Sequence, residues 1–155
     1  MGSLAKYWIE TSGPPTIDYI GKILVSPADK GYWKNMEKVS KGDIVYHYIT
    51  SKGPEPVRRS IIGKSTVKEP AVQYDLDGMI DYVQSIIGEN WDSRWEEFAK
   101  DRWGDYETFY IVELENFQRF NPPIPLKTIK GVFRPTPVYL RVASMKLVTM
   151  LEKGI

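Results

Sequence analysis

The sequence has no cysteine, one histidine (His47), and no apolar run approaching the roughly 18 residues of a membrane span. Without cysteine there can be no disulfide and no cysteine-based zinc site, and nothing suggests an oxidising compartment. No signal-peptide pattern opens the chain, so an intracellular, cytoplasmic setting is expected. A Walker loop, an HExxH pair, a GxSxG elbow and a cysteine nucleophile are all missing. His47 falls mid-strand among tyrosines, a place that suits a structural imidazole. Glu113 and Glu115 share one face of a strand, but the "ELENFQ" around them lacks the lysine a metal-dependent nuclease would want. Asp75, Asp77 and Asp81 have no calcium-loop spacing and suit the start of a helix, where the dipole favours carboxylates. The expectation is a binding protein, not an enzyme, with no metal or cofactor.

Aromatic residues, in contrast, are abundant, with five Trp and ten Tyr in 155 residues. That length is one domain's worth of chain, here read as a single domain over 1–155. "MGSLA" reads as an unstructured lead-in or tag scar. The net charge of +1 conceals an asymmetry. Residues 1–72 carry eleven Lys and Arg against seven Asp and Glu, residues 73–107 three against ten, and residues 108–155 seven against three. Two basic segments thus flank an acidic one. If the flanks fold together they form a basic body that suits an anionic polymer, with the acidic segment facing elsewhere.

"KYWIET" reads as a first strand. "SGPPTIDYIGKILVS" predicts a helix, capped by Ser12 or Thr16, with Ile17, Ile20, Ile23 and Leu24 on its apolar face. "DIVYHYIT" and "SIIGKSTVKEP" predict a pair of strands joined by the basic loop "SKGPEPVRR". Leu76, Met79, Ile80, Val83, Ile86 and Ile87 recur at helical spacing up to Gly88, and Trp91, Trp95, Phe98 and Ala99 continue a second helical face. These predict an acidic αα-hairpin inserted over 73–105. "TFYIVELENF" returns to strand, "NPPIPLKTIKGVFRPTP" reads as a proline-rich loop, and "VYLRVASMKLVTMLEKG" as a closing helix.

Two tryptophans stand in polar surroundings at element edges: Trp33 beside Lys30, Lys34 and Asn35, and Trp103 within "KDRWGDY". Both could be amphipathic residues at the rim of a core. Held a base-width apart, they could instead sandwich a flat heterocycle, a contact worth roughly 1–3 kcal/mol per base, and a methylated or cationic group would gain further from the ring quadrupoles. Trp8, Trp91 and Trp95 fall in periodic patterns that suit a core.

The order of these blocks resembles the EVE and YTH domains. "YWIETSGPP" is similar to the opening of EVE domains through Tyr7, Trp8, Ser12 and Pro14. "YWKNMEKVSKGDIVYHYI" is similar to their next block through Asn35, Met36, Gly42, Asp43, Val45 and Tyr48, and "IIGKSTVKEP" to the following strand through Gly63, Glu69 and Pro70. Gly31 to Trp33, Asp101-Arg102-Trp103 and Arg134 resemble YTH segments. Thr11 stands where EVE domains usually carry lysine, and the acidic hairpin is absent from short members.

The resemblance implies an α+β, PUA-like fold: a curved β-sheet or small β-barrel packed with helices. It also implies non-catalytic recognition of a modified base in DNA, flipped into an aromatic cage. Domains of this sort serve archaeal McrB-type modification-dependent restriction systems as DNA readers, so a motor or nuclease subunit or domain is an expected partner. A PUA-like RNA-binding module linked to RNA modification or translation is the alternative. A small-molecule or protein-interaction domain working through the acidic hairpin is a third reading. The base-binding candidates are Trp33, Trp103, Thr11, Ser12, Asn35, Tyr48 and Trp8, with Tyr46 as a further cage residue. The phosphate-binding candidates are Lys30, Lys34, Arg58, Arg59, Lys127, Lys130 and Arg134.

Overall fold

The computed structural model describes residues 5–14, 16–28, 34–136 and 138–153. Trp33 and Lys30 therefore lie outside the described residues. Among the described residues seven strands, β1 (Tyr7–Ser12), β2 (Ile23–Pro27), β3 (Ile44–Ile49), β4 (Ser60–Val67), β5 (Val72–Tyr74), β6 (Phe109–Pro125) and β7 (Leu140–Val142), form one mixed sheet in the order β2-β6-β4-β3-β1-β7, with β5 also on β6. Four α-helices among the described residues accompany it: α1 (Leu76–Ile87), α2 (Ser93–Trp103), α3 (Leu126–Ile129) and α4 (Met145–Glu152). This is the expected PUA-like α+β architecture, with a curled sheet, packed helices and the acidic αα-hairpin between strands. Among the described residues no helix is long and apolar enough to cross a membrane.

The sheet is almost entirely antiparallel, but β1 and β3 run parallel, Tyr7 opposite Ile44 through Ser12 opposite Ile49. Their carboxyl ends therefore emerge side by side. On β1's other flank β7 pairs antiparallel through Trp8, Ile9 and Glu10.

Three expected elements are corrected. The helix predicted from Ser12 onward is only a single tight turn, Thr16–Tyr19, after which Ile23 and Leu24 enter β2. Gly21 takes φ +83 there, and a Cβ on it would stand 2.7 Å from the Phe117 ring, so the chain turns where the helical pattern would have continued. The expected proline-rich loop is partly strand: β6 runs on through Pro122, Pro123 and Pro125, with Ile124 opposite Ile61 of β4. The closing helix is divided, because β7 takes Leu140–Val142 before Ser144 caps α4 by accepting from the Leu147 amide.

The helical hairpin is no appendage. Met79, Val83, Trp95, Ala99 and Trp103 pack on Tyr19, Ile23, Val25, Phe109 and Ile111, sealing one end of the sheet with a core of their own. Asp75 and Asp92 begin the two helices by accepting from the Gly78 and Arg94 amides, and Gly88 at φ +65 ends the first. A second core, around Trp8, Leu24, Val45 and Leu140, fills the curl of the sheet, and a third lies under α4.

Candidate base-binding cavity

β1 ends at Ser12-Gly13, and the chain turns back at once. The Gly13 carbonyl accepts from the Ile17 amide at 3.3 Å and from the Thr16 hydroxyl at 2.6 Å, and this turn folds the Tyr19 ring inward beneath the end of β1. Tyr139 arrives from the other side. Its carbonyl accepts from the Thr11 amide at 2.8 Å, and its hydroxyl accepts from the Val25 amide at 3.2 Å. The last turn of α2 closes the space with Phe98, Arg102 and Trp103, and Tyr106 follows just beyond. The result is a cavity of about 320 Å³ with Thr11 and Ser12 at one side and aromatic rings around the rest. Pockets for small ligands begin near this size, at roughly 300 Å³.

The Trp103 wall is a cluster of packed rings. Its ring meets Trp95, Phe98 and Phe109 at centroid separations of 6.3, 5.4 and 6.2 Å, mostly edge to face. The Arg102 guanidinium lies over the Phe98 ring at the rim.

Behind the cavity is a sealed polar chain. Glu10 and His47 are register partners on β1 and β3, so their side chains leave the sheet on the same face, and they are 1% and 0% exposed. Glu10 Oε1 is hydrogen-bonded to His47 Nδ1. The opposite ring nitrogen, Nε2, lies 2.7 Å from Ser65 Oγ, which donates to the Gly21 carbonyl at 3.2 Å. The Tyr139 hydroxyl hydrogen-bonds to Glu10 in turn. Burial, reinforced by the Glu10 charge, drives the phenols of both Tyr19 and Tyr139 well above the ordinary tyrosine range.

Two further hollows adjoin the cavity. One, of about 570 Å³, shares Phe98 with it and has Lys52 and Arg94 among its walls; the other, of about 320 Å³, shares Thr11 and is bounded by Tyr48 and Arg59. Arg59 sits in the left-handed backbone region at φ 53, an uncommon conformation for a side chain of that size.

The expected site residues thus divide. Thr11, Ser12 and Trp103 meet in the central cavity, and Tyr48 and Arg59 meet beside it. Trp8 does not reach it: the ring is 1% exposed and its indole N–H donates to Asp43 at 2.9 Å. Tyr46 is equally buried and its hydroxyl donates to Glu152 at 2.6 Å. Asn35 donates to the Leu140 carbonyl at 2.9 Å, tying its turn to β7. Arg58 is exposed and pairs with Glu55. Lys34, Lys127, Lys130 and Arg134 are exposed, and none of them lines the central cavity or its two neighbours. Sequence reasoning missed Tyr19, Tyr106 and Tyr139. Phe98 looked like a core position because it lies on the apolar face of α2. No three His, Asp or Glu side chains converge as metal ligands among the described residues.

The N-terminal domain of Staphylothermus marinus McrB superposes on this chain with a TM-score of 0.79 at 16% identity, covering 97% of this chain and 95% of that one. The chain has the PUA-like fold. ASCH from Zymomonas mobilis is similar over 96% of this chain and 94% of its own, with a TM-score of 0.67 at 18% identity. A hypothetical protein from Leishmania major follows at 0.57 and 16%, covering 97% and 94%. No family model and no curated protein sequence matches. In this PUA-like frame the cavity lies where β1 ends, and the inserted hairpin supplies one of its walls.

Proposed function

We propose that this chain binds nucleic acid by taking one base out of the stack into the cavity beside Trp103. The observation that carries this reading is the cavity itself: an aromatic-walled space holding buried hydroxyls, with cationic side chains on its flanks. The favoured substrate is duplex DNA carrying a modified base, as the resemblance to EVE and YTH domains suggests. The chain would serve as the specificity element of a modification-dependent restriction system, with any motor or nuclease supplied by another domain or subunit.

Flipping a base out of a duplex costs a few kcal/mol. Stacking on Trp103 and its neighbours offsets roughly 1–3 kcal/mol of that, and phosphate contacts supply the sequence-independent remainder. Position along the cleft favours Lys52, Arg59, Arg94 and Arg102 for those contacts. Of the seven cations expected from the sequence, Arg59 alone lies on it among the described residues.

The test is fluorescence-anisotropy binding to matched short duplexes, unmodified, carrying N6-methyladenine, or carrying 5-methylcytosine, with RNA counterparts. Tight binding to one modified DNA, lost on Trp103→Ala in a protein that still melts cooperatively, supports the reading. Preference for the RNA forms would move the chain to RNA recognition. Equal, weak, salt-sensitive binding to every probe would leave a basic surface and no base reader.

A further inference from the structure

Two buried hydroxyls at the cavity have no hydrogen-bond acceptor. Tyr19 is 1% exposed and its hydroxyl makes no hydrogen bond of acceptable geometry among the described residues; the same holds for the buried Thr11 Oγ1. Both residues line the same cavity. Leaving a buried hydroxyl unpaired is costly, and such orphans in a native fold call for an explanation.

The remaining hydroxyls are committed. Thr16 gives its proton to the Gly13 carbonyl at 2.6 Å, so the hydrogen in the 2.8 Å Ser12–Thr16 contact must come from Ser12. Ser12 Oγ is therefore left with lone pairs only. Tyr139 accepts from the Val25 amide and is held by Glu10, itself fixed by His47. Tyr19 is the opposite case. Its ring meets Trp95 edge to face at 6.1 Å, and the nearby Trp95 indole N–H, also unpartnered, can only donate. Nothing on that side takes the Tyr19 proton. Burial, reinforced by the Glu10 charge, opposes ionisation of Tyr19, which keeps the hydroxyl a donor.

We infer that Tyr19 is a specificity-determining residue: its hydroxyl donates to an acceptor atom on the polar edge of the bound heterocycle, while Ser12 Oγ accepts from an adjacent N–H. The ligand class is a heterocycle presenting neighbouring donor and acceptor groups, as every nucleobase does. A quaternary ammonium ion, which aromatic walls alone would also suit, has neither and is rejected. The inference rests on the base-binding reading above.

The experiment compares wild type, Tyr19→Phe and Trp103→Ala on short duplexes carrying N6-methyladenine, 5-methylcytosine, an abasic site, or 4-methylindole attached through its nitrogen, which keeps a fused ring and has no hydrogen-bond donor or acceptor. If the inference holds, Tyr19→Phe weakens binding of the preferred base by about tenfold, the loss of one hydrogen bond, and leaves affinity for 4-methylindole unchanged. The free variant also melts no lower than wild type, because the hydroxyl it loses was unpaired. Equal weakening on both probes, or on neither, overturns the role of Tyr19 and leaves base binding standing. Wild-type binding that is the same on the abasic duplex and indifferent to Trp103→Ala refutes the base-binding reading, and the role of Tyr19 with it.

Discussion

Glu10 and His47 face each other across the parallel strands β1 and β3, hydrogen-bonded and shut away from water. The lone histidine of the chain is thus the anchor of a buried chain that passes from Ser65 through Glu10 to Tyr139 at the cavity wall. Removing one partner of a buried hydrogen-bonded pair leaves the other unsatisfied, at a cost of about 1–3 kcal/mol. His47→Ala is expected to lose an amount in that range in urea unfolding. A loss under about 1 kcal/mol, the scale of an exposed pair, would show that water relieves Glu10.

Asp43 should be equally costly to remove. It is 2% exposed and accepts from the Trp8 indole at 2.9 Å, the Lys6 amide at 3.0 Å and the Ser40 amide at 2.9 Å. Asp43→Ala strands these donors at about 1–3 kcal/mol each where they stay dry. The expected result is a drop of several kcal/mol in unfolding free energy, large enough to appear as a clear fall in Tm.

Stability should decline in strong alkali. Burial raises the Tyr19, Tyr46 and Tyr139 phenols, with carboxylates adding to the effect. A folded-state pKa above the unfolded value gives stability that is complete below the unfolded pKa, near 10 for tyrosine, and is lost as pH rises beyond it. Urea midpoints should therefore fall as pH climbs past about 10, and less steeply in Tyr46→Phe.

Acid acts through Glu152. Burial would raise its carboxyl, but hydrogen bonds from Tyr46 and Lys64 outweigh this and hold it below the usual carboxylate range. The stabilisation is present above the unfolded pKa and disappears as pH falls through the folded one. Glu152→Gln should flatten the acid limb of the stability profile; an unchanged limb would remove Glu152 from the account.

Charge reversal along the cleft gives a separate readout. Lys52→Glu and Arg59→Glu should weaken binding to all duplexes alike and reduce the salt slope by about one unit for each phosphate left without its cation. Lys127→Glu, away from the cavity and its neighbours, should have a much smaller effect.

Local pattern was enough for much of this molecule. The strand Ile44–Ile49 follows from its run of β-branched and aromatic residues, and the hairpin at 76–103 from its 3.6-residue apolar period and its Asp caps. The failures lie where a local signal competes with tertiary pairing. Ile17 to Leu24 has helical spacing, yet β6 offers Ile23 and Leu24 partners in Glu113 and Val112, and strand pairing wins. Pro122 to Pro125 reads as loop because proline cannot donate to a ladder, yet Ile124 and Pro125 lie against β4.

The cavity divides the same way. Thr11, Ser12 and Trp103 were legible because each stands in a short recognisable block of sequence. Tyr19 and Tyr139 were not: 120 residues apart, each is one tyrosine among ten, and only the closure of β1, β2 and α2 around them makes one an unpaired hydroxyl and the other a fixed one. Sequence by itself determined the aromatic richness and the acidic hairpin, since these depend on composition and near-neighbour spacing, while the α+β class came from the resemblance to EVE and YTH domains. The tertiary structure alone decided which aromatics face a ligand, because burial and hydrogen-bond partnership are properties of residues brought together from distant parts of the chain.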